Sequence, residues 1–284
     1  MSYYPRDIIN FQLHYPDQGG RDDKRLNRNL LFHRNEVKCI PDNLLIDELH
    51  HQWRGKYSIL EREHGFIQWI FPIREHGVNF SAQSLQPHEI LAMRADDEIM
   101  ERLFTSYKLM LDFYGMRLED EETGRLSRST NYAKCYANLV RSPHNYLRIT
   151  RILKCLSELG LEHLNAGFLL FVLSEQSEHG QLNTRTITSS MDNFWAGCIR
   201  DDQEREVIET LIEGVRYDAL SFTTENYHAV LEARAKTGRL SWEPTGVDLA
   251  GNGDASSGHE VQGAEEATTD SSGKDDTQID DRHE

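Results

Sequence analysis

This 284-residue chain has little of what usually marks a chemical function. It has four cysteines, Cys39, Cys135, Cys155 and Cys198, far apart and with no CxxC pair. That spacing excludes a disulfide scaffold and a zinc-spaced Cys/His set, and it fits a reduced intracellular protein. There is no phosphate loop, no dinucleotide fingerprint and no GxSxG elbow. Positive charge is scarce: 31 Lys and Arg face 47 Asp and Glu, for a formal net charge of −16. A phosphate-backbone binder uses clustered Lys and Arg, so nucleic acid is not an expected partner. No apolar run approaches the roughly 20 residues that a membrane span needs. Met1-Ser2-Tyr3-Tyr4-Pro5-Arg6-Asp7 carries no apolar signal core, so no secretory leader is expected. Any membrane association would be peripheral.

Histidine is plentiful, at 13 residues. Glu-His-Gly recurs at Glu63-His64-Gly65, Glu75-His76-Gly77 and Glu178-His179-Gly180. Adjacent side chains on a helix point in different directions, so neighbouring Glu and His chelate poorly. Surface and capping roles are the expectation, with no metal and no cofactor.

What is present is helical periodicity. Pro41-Asp42-Asn43 predicts a helix start through Leu45, Leu49 and Trp53, ending at Gly55. Ser84-Leu85-Gln86-Pro87 predicts another, with proline in the first turn. Asp96 or Asp97 caps a long helix whose broad face carries Leu103, Tyr107, Met110 and Tyr114, with Gly115 at its end. Ser142-Pro143 opens a helix in which Tyr146, Ile149, Ile152, Leu153, Leu156 and Leu159 repeat before Gly160. Its other face carries Arg148, Arg151 and Lys154, and a solvated face is the expected reading. A short helix is expected within 131–140, and further ones at about 166–177, 190–199, 202–213 and 223–236. The run from Ala166 to Leu173 reads as a buried helix. No strand alternation and no tandem repeat is evident. The expected fold is all-α: one compact multi-helix domain over 29–244, after an irregular segment 1–28. A tail over 245–284, rich in Gly, Ser, Thr and Asp and opposed only by Lys274 and Arg282, is expected to be disordered.

The segment Glu63-His64-Gly65-Phe66-Ile67-Gln68-Trp69-Ile70-Phe71-Pro72-Ile73-Arg74 is continuous in its apolar character rather than alternating. It must be buried on more than one side. It resembles the signature of the opioid growth factor receptor family, where an Asn-His pair leads into Tyr-Ile-Gln-Trp-Leu-Phe-Pro. Here the pair reads Glu63-His64 and the Tyr is Phe66. Ile46-Asp47-Glu48-Leu49, Trp53-Arg54-Gly55-Lys56-Tyr57 and Leu109 to Leu118 resemble further family blocks. So do His144 to Lys154, Glu158 to Glu162, and Trp242-Glu243-Pro244.

The resemblance implies a non-catalytic receptor or adaptor that binds an opioid-type peptide, Met-enkephalin, and restrains growth from the cytoplasm or nucleus. Such a peptide offers an amine, aromatic rings and a carboxylate. An acid, an apolar cleft and a base would be needed, and Glu63, Trp69 with Phe71, and Arg148 or Arg151 are of those types, with His64 beside them. Core packing is the commoner fate of buried aromatics, and a structural role the commoner one for such a histidine. Two other readings stay open: a scaffold without a small ligand, whose acidic tail recruits protein partners, and an enzyme of unrecognised motif. A deep cleft joining His64 to carboxylates would mark the latter.

Overall fold

The computed structural model describes residues 4–18 and 21–242, and the expected acidic tail lies outside them. The described residues form thirteen α-helices and one hairpin. In chain order the helices before the hairpin are α1 (Arg6–Gln12), α2 (Arg28–His33), α3 (Ile46–Trp53), α4 (Tyr57–Arg62), α5 (Ile67–Ile70), α6 (Pro87–Arg94) and α7 (Asp97–Tyr114). Strands β1 (Met116–Asp120) and β2 (Arg125–Arg128) follow, and then α8 (Tyr132–Arg141), α9 (His144–Glu158), α10 (Glu162–Ser177) and α11 (Arg185–Ser190). A π-helical turn, Met191–Trp195, and a 3-10 turn, Ala196–Cys198, lead to α12 (Asp202–Arg216) and α13 (Thr224–Thr237).

The helix boundaries have local causes. Asp96 caps α7 by accepting the Ile99 amide, and Gly115 ends it at φ 87°. Pro87 occupies the first turn of α6, while Glu89 reaches back to the Gln86 amide. The predicted helix at Pro41 begins later, at Ile46, because Cys39 to Leu44 closes a turn with Asn43 at φ 54°. Helix α10 is buried from Leu164 to Gln176, as befits a helix that is apolar on all sides. It packs against α9, α12, α13 and β2, while α3, α6 and α8 pack on α7. All four cysteines are free and buried.

Two further features depart from expectation. The hairpin pairs Met116 with Arg128 and Leu118 with Leu126 in antiparallel register. Gly167 of α10 makes room for it, since a Cβ there would stand 2.0 Å from the Gly124 carbonyl oxygen. The other departure is α1, which lies within the segment expected to be irregular. Its Ile8 and Phe11 are fully buried. Gly197 lets this helix approach, because a Cβ would meet Ile8 Cγ2 at 2.4 Å. Arg200 Nε then donates to the Phe11 carbonyl at 3.0 Å, with its guanidinium 4.0 Å above the Phe11 ring.

Candidate functional site

Every residue from Phe66 to Ile73 is buried. Trp69 faces the core: its Nε1–H donates to the Ile40 carbonyl at 3.1 Å, and its ring meets Phe32 edge-on at 5.4 Å. Phe71 is fully buried. Ile67, Gln68 and Ile73 instead line a cavity of about 340 Å³, whose far wall is Leu147, Arg148, Arg151 and Lys154 of α9. Val78, His64, His144, Phe194, Glu75 and Asp7 complete much of its lining. The π-helical turn places Phe194 at the cavity and sends Trp195 into the core against Tyr146 and Phe168. Such turns recur at functional sites. The loop after the motif is held by Gln68, whose Oε1 accepts the Asn79 amide at 3.2 Å. Gly77 lies so close that a Cβ would sit 1.8 Å from that oxygen.

The cationic row on α9 is not a solvated face, which corrects the expectation. Arg148 is 5% exposed and Lys154 2%. The cause lies in two short neighbouring helices. Helices α4 and α5 each leave carbonyls without intrahelical partners, and α9 caps both. Arg148 donates to the carbonyls of Leu60 at 2.7 Å and Glu63 at 2.6 Å, and to Asn145 Oδ1 at 3.1 Å. Arg151 Nε donates to the Phe71 carbonyl at 2.8 Å. Neither guanidinium has a carboxylate within ion-pair distance among the described residues, and burial lowers both pKa values, that of Arg151 to about 10. Lys154 is different: its Nζ meets Glu75 at 2.7 Å and Asp7 at 3.1 Å, and Glu75 also accepts from the Tyr15 hydroxyl at 3.0 Å.

At the other end of the cavity His64 is exposed, and its Nδ1 lies 2.9 Å from Arg148 Nη2. An arginine only donates, so that nitrogen is the acceptor of the contact. The His144 ring stands edge-on to it at 5.2 Å, with Nε2 3.0 Å from Glu61. Burial of His144 lowers its pKa. Among the described residues no group of three or more His, Cys, Asp or Glu is arranged to hold a metal ion.

Of the six residues proposed from sequence, the cavity brings together His64, Arg148 and Arg151. Trp69 and Phe71 lie on the opposite side, in the core, and supply no cavity wall. The Glu63 carboxylate is not part of the lining either and pairs with Arg62 at 3.0 Å. The apolar wall is formed instead by Ile67, Ile73, Val78, Leu147 and Phe194. Leu147 had a readable signal, since it precedes Arg148 on the cationic side of α9. Asp7 had none, being far away in sequence.

By fold and site this is a mainly helical domain organised around the Phe66–Ile73 motif. Residues 22–226 match the family model described as the opioid growth factor receptor (OGFr) conserved region, and the chain belongs to the opioid growth factor receptor family. It is 41% identical over 211 residues to the opioid growth factor receptor of Homo sapiens, an alignment covering 74% of this chain and 31% of that protein. Opioid growth factor receptor-like protein 1 of Rattus norvegicus is 38% identical over 205 residues, covering 72% and 43% respectively. The matched part of the chain thus spans less than half the length of these curated relatives. No solved structure matches it. Among the described residues no helix is long and apolar enough to cross a membrane.

Proposed function

We propose that this chain is an intracellular, non-catalytic receptor or adaptor that takes an opioid-type peptide such as Met-enkephalin into the cavity between the Phe66–Ile73 motif and α9. The relatives' name supplies the ligand class, and control of growth is the role that would follow. One observation carries the assignment to this cavity. Beside an apolar wall lies Arg151, a cation lowered in pKa by burial and lacking a carboxylate partner among the described residues. Arg151 is half-buried and its Nε serves the Phe71 carbonyl; a partly desolvated cation favours a ligand carboxylate as its further partner. His64 and Arg148 border the same space, with Arg148 chiefly holding the walls together.

The test is a calorimetric titration of the full chain with Met-enkephalin. Wild type should bind, and Arg151→Gln should weaken binding at least tenfold, as expected for loss of a charge-assisted hydrogen bond of about 1.5–3 kcal/mol. A C-terminally amidated peptide should bind wild type and Arg151→Gln alike. Equal affinity of the two proteins for the free acid would reject the assignment of the carboxylate to Arg151. A folded wild type that binds nothing would leave the scaffold reading. That second reading has its own observation, since Val78 and Phe80 of the loop after the motif are 87% and 98% exposed.

A further inference from the structure

Charge is unevenly shared around the cavity. Arg151 has no acid, while Lys154 has two, Asp7 and Glu75. The two acids are not equivalent. Glu75 is held by both Lys154 and the Tyr15 hydroxyl. Asp7 accepts one hydrogen bond, through Oδ2 from Lys154, and its side chain is 51% exposed at the cavity edge. Its other oxygen has no hydrogen-bond partner among the described residues. Lys154 is thus held by Glu75 as well, and Asp7 keeps one acceptor oxygen without a hydrogen-bond partner among the described residues at the cavity edge.

We infer that Asp7 of α1 is the recognition residue for the ligand's primary ammonium group, so that α1 is a working part of the binding site. The inference rests on the peptide-binding reading above and deepens it. A zwitterionic peptide would place its carboxylate at Arg151 and an ammonium at the Asp7 oxygen that Lys154 leaves free, both by charge-assisted hydrogen bonds. Asp7 precedes the stretch matched by the family model, which begins at residue 22. The site is therefore completed by a segment outside the matched region. Helix α1 is firmly placed for this role: Ile8 and Phe11 are fully buried, Gln12 Nε2 donates to the Gly197 carbonyl at 3.1 Å, and Gly197 leaves no room for a Cβ beside Ile8. The Glu63 carboxylate pairs with Arg62 and lines no part of the cavity.

The experiment titrates the full chain with Met-enkephalin and its N-acetylated form, using wild type, Asp7→Asn and Asp7→Glu, with melting curves alongside. Wild type should lose about tenfold in affinity on acetylation. Asp7→Asn should bind the free peptide about tenfold more weakly and show no further loss on acetylation, while Asp7→Glu should restore the acetylation penalty. An undiminished acetylation penalty in a folded Asp7→Asn protein would overturn the inference and leave the peptide reading standing. Absence of binding by wild type would overturn both.

Discussion

The Phe66–Ile73 segment separates two interiors of different character. On one side Trp69 packs on Phe32 and Phe71 is sealed in apolar surroundings. On the other, Ile67, Gln68 and Ile73 face α9 across a cavity whose polar groups are only partly matched. Both interiors are built from one apolar run interrupted only by Gln68. On the core side the Trp69 indole donates to the Ile40 carbonyl, while His33 Nε2, beside the same Phe32 ring, has no hydrogen-bond partner among the described residues. The cavity side leaves a guanidinium without an acid and a carboxylate with a spare oxygen. The difference is one of charge: the core side packs the Trp69 and Phe71 rings, and the cavity side holds a guanidinium and a carboxylate that could each take a charged ligand group.

The largest expected effect lies on the core side. Trp69→Ala removes a fully buried indole and should cost about 3–5 kcal/mol of stability, read as a fall in the urea midpoint. If the cost were below about 1 kcal/mol, the packed-core description of this side would be wrong. Because it damages the fold, this variant carries no information about binding.

Acid should also act through the core side. His33, fully buried in α2, and His50, against Ser106, both have pKa values pushed down to about 4, chiefly by burial. Their ordinary value is about 6.5. Between those values the unfolded chain binds protons that the folded chain refuses. The stability they contribute is therefore fully present above about pH 6.5 and is lost as pH falls toward 4. The slope is about 1.4 kcal/mol per pH unit for each proton. Urea midpoints measured across this window should fall for wild type and flatten in the His33→Gln, His50→Gln double variant. A flat wild-type profile would contradict the burial of both rings.

Gly77→Ala probes the cavity side. Its Cβ would stand 1.8 Å from Gln68 Oε1, so Gln68 must leave its bond to the Asn79 amide. Overpacking of this kind costs about 1–3 kcal/mol. Peptide affinity should fall along with stability, because Gln68 lines the cavity. At Gly180, where an added Cβ would meet no neighbouring heavy atom within 4 Å, alanine meets no clash, and only its φ of 61° opposes the change. Unaltered peptide binding by Gly77→Ala would argue that Gln68 does not shape the site.

Much of this was legible beforehand. Gly115 and Gly160 sit at left-handed helix ends, at φ 87° and 81°, where the pattern of apolar residues stopped. The burial of Phe66–Ile73 followed from its lack of alternation. The hairpin was not legible, because four or five residues such as Met116–Asp120 are too few to display a period of two. Nor was the burial of Arg148 and Lys154. Helical periodicity identifies the apolar stripe of α9, but it says nothing of the carbonyl ends of α4 and α5 that two of its arginines cap. Helix α1 was hidden for a related reason: its two core residues, Ile8 and Phe11, are a single i, i+3 pair blurred by the exposed Ile9 between them, and its docking depends on Gly197, far along the chain.

The smallest expected effect is at Glu63, and it sharpens the boundary of the site. This residue contributes through its main chain, whose carbonyl accepts from Arg148 Nη2 at 2.6 Å. Its carboxylate pairs with Arg62 at 3.0 Å, with the Arg62 side chain 70% exposed. Exposed pairs of this sort are worth about 0–1 kcal/mol. Glu63→Gln keeps the backbone carbonyl, and with it the cap on α4, so stability should change by no more than about 0.5 kcal/mol. Peptide affinity should also be unchanged, in contrast to the tenfold loss expected of Asp7→Asn. Melting curves and one titration of the two variants side by side decide the matter. A loss confined to Glu63→Gln would move the ammonium site from the α1 end of the cavity to the α4 end. It would also show that the Arg62 pair opens when ligand arrives.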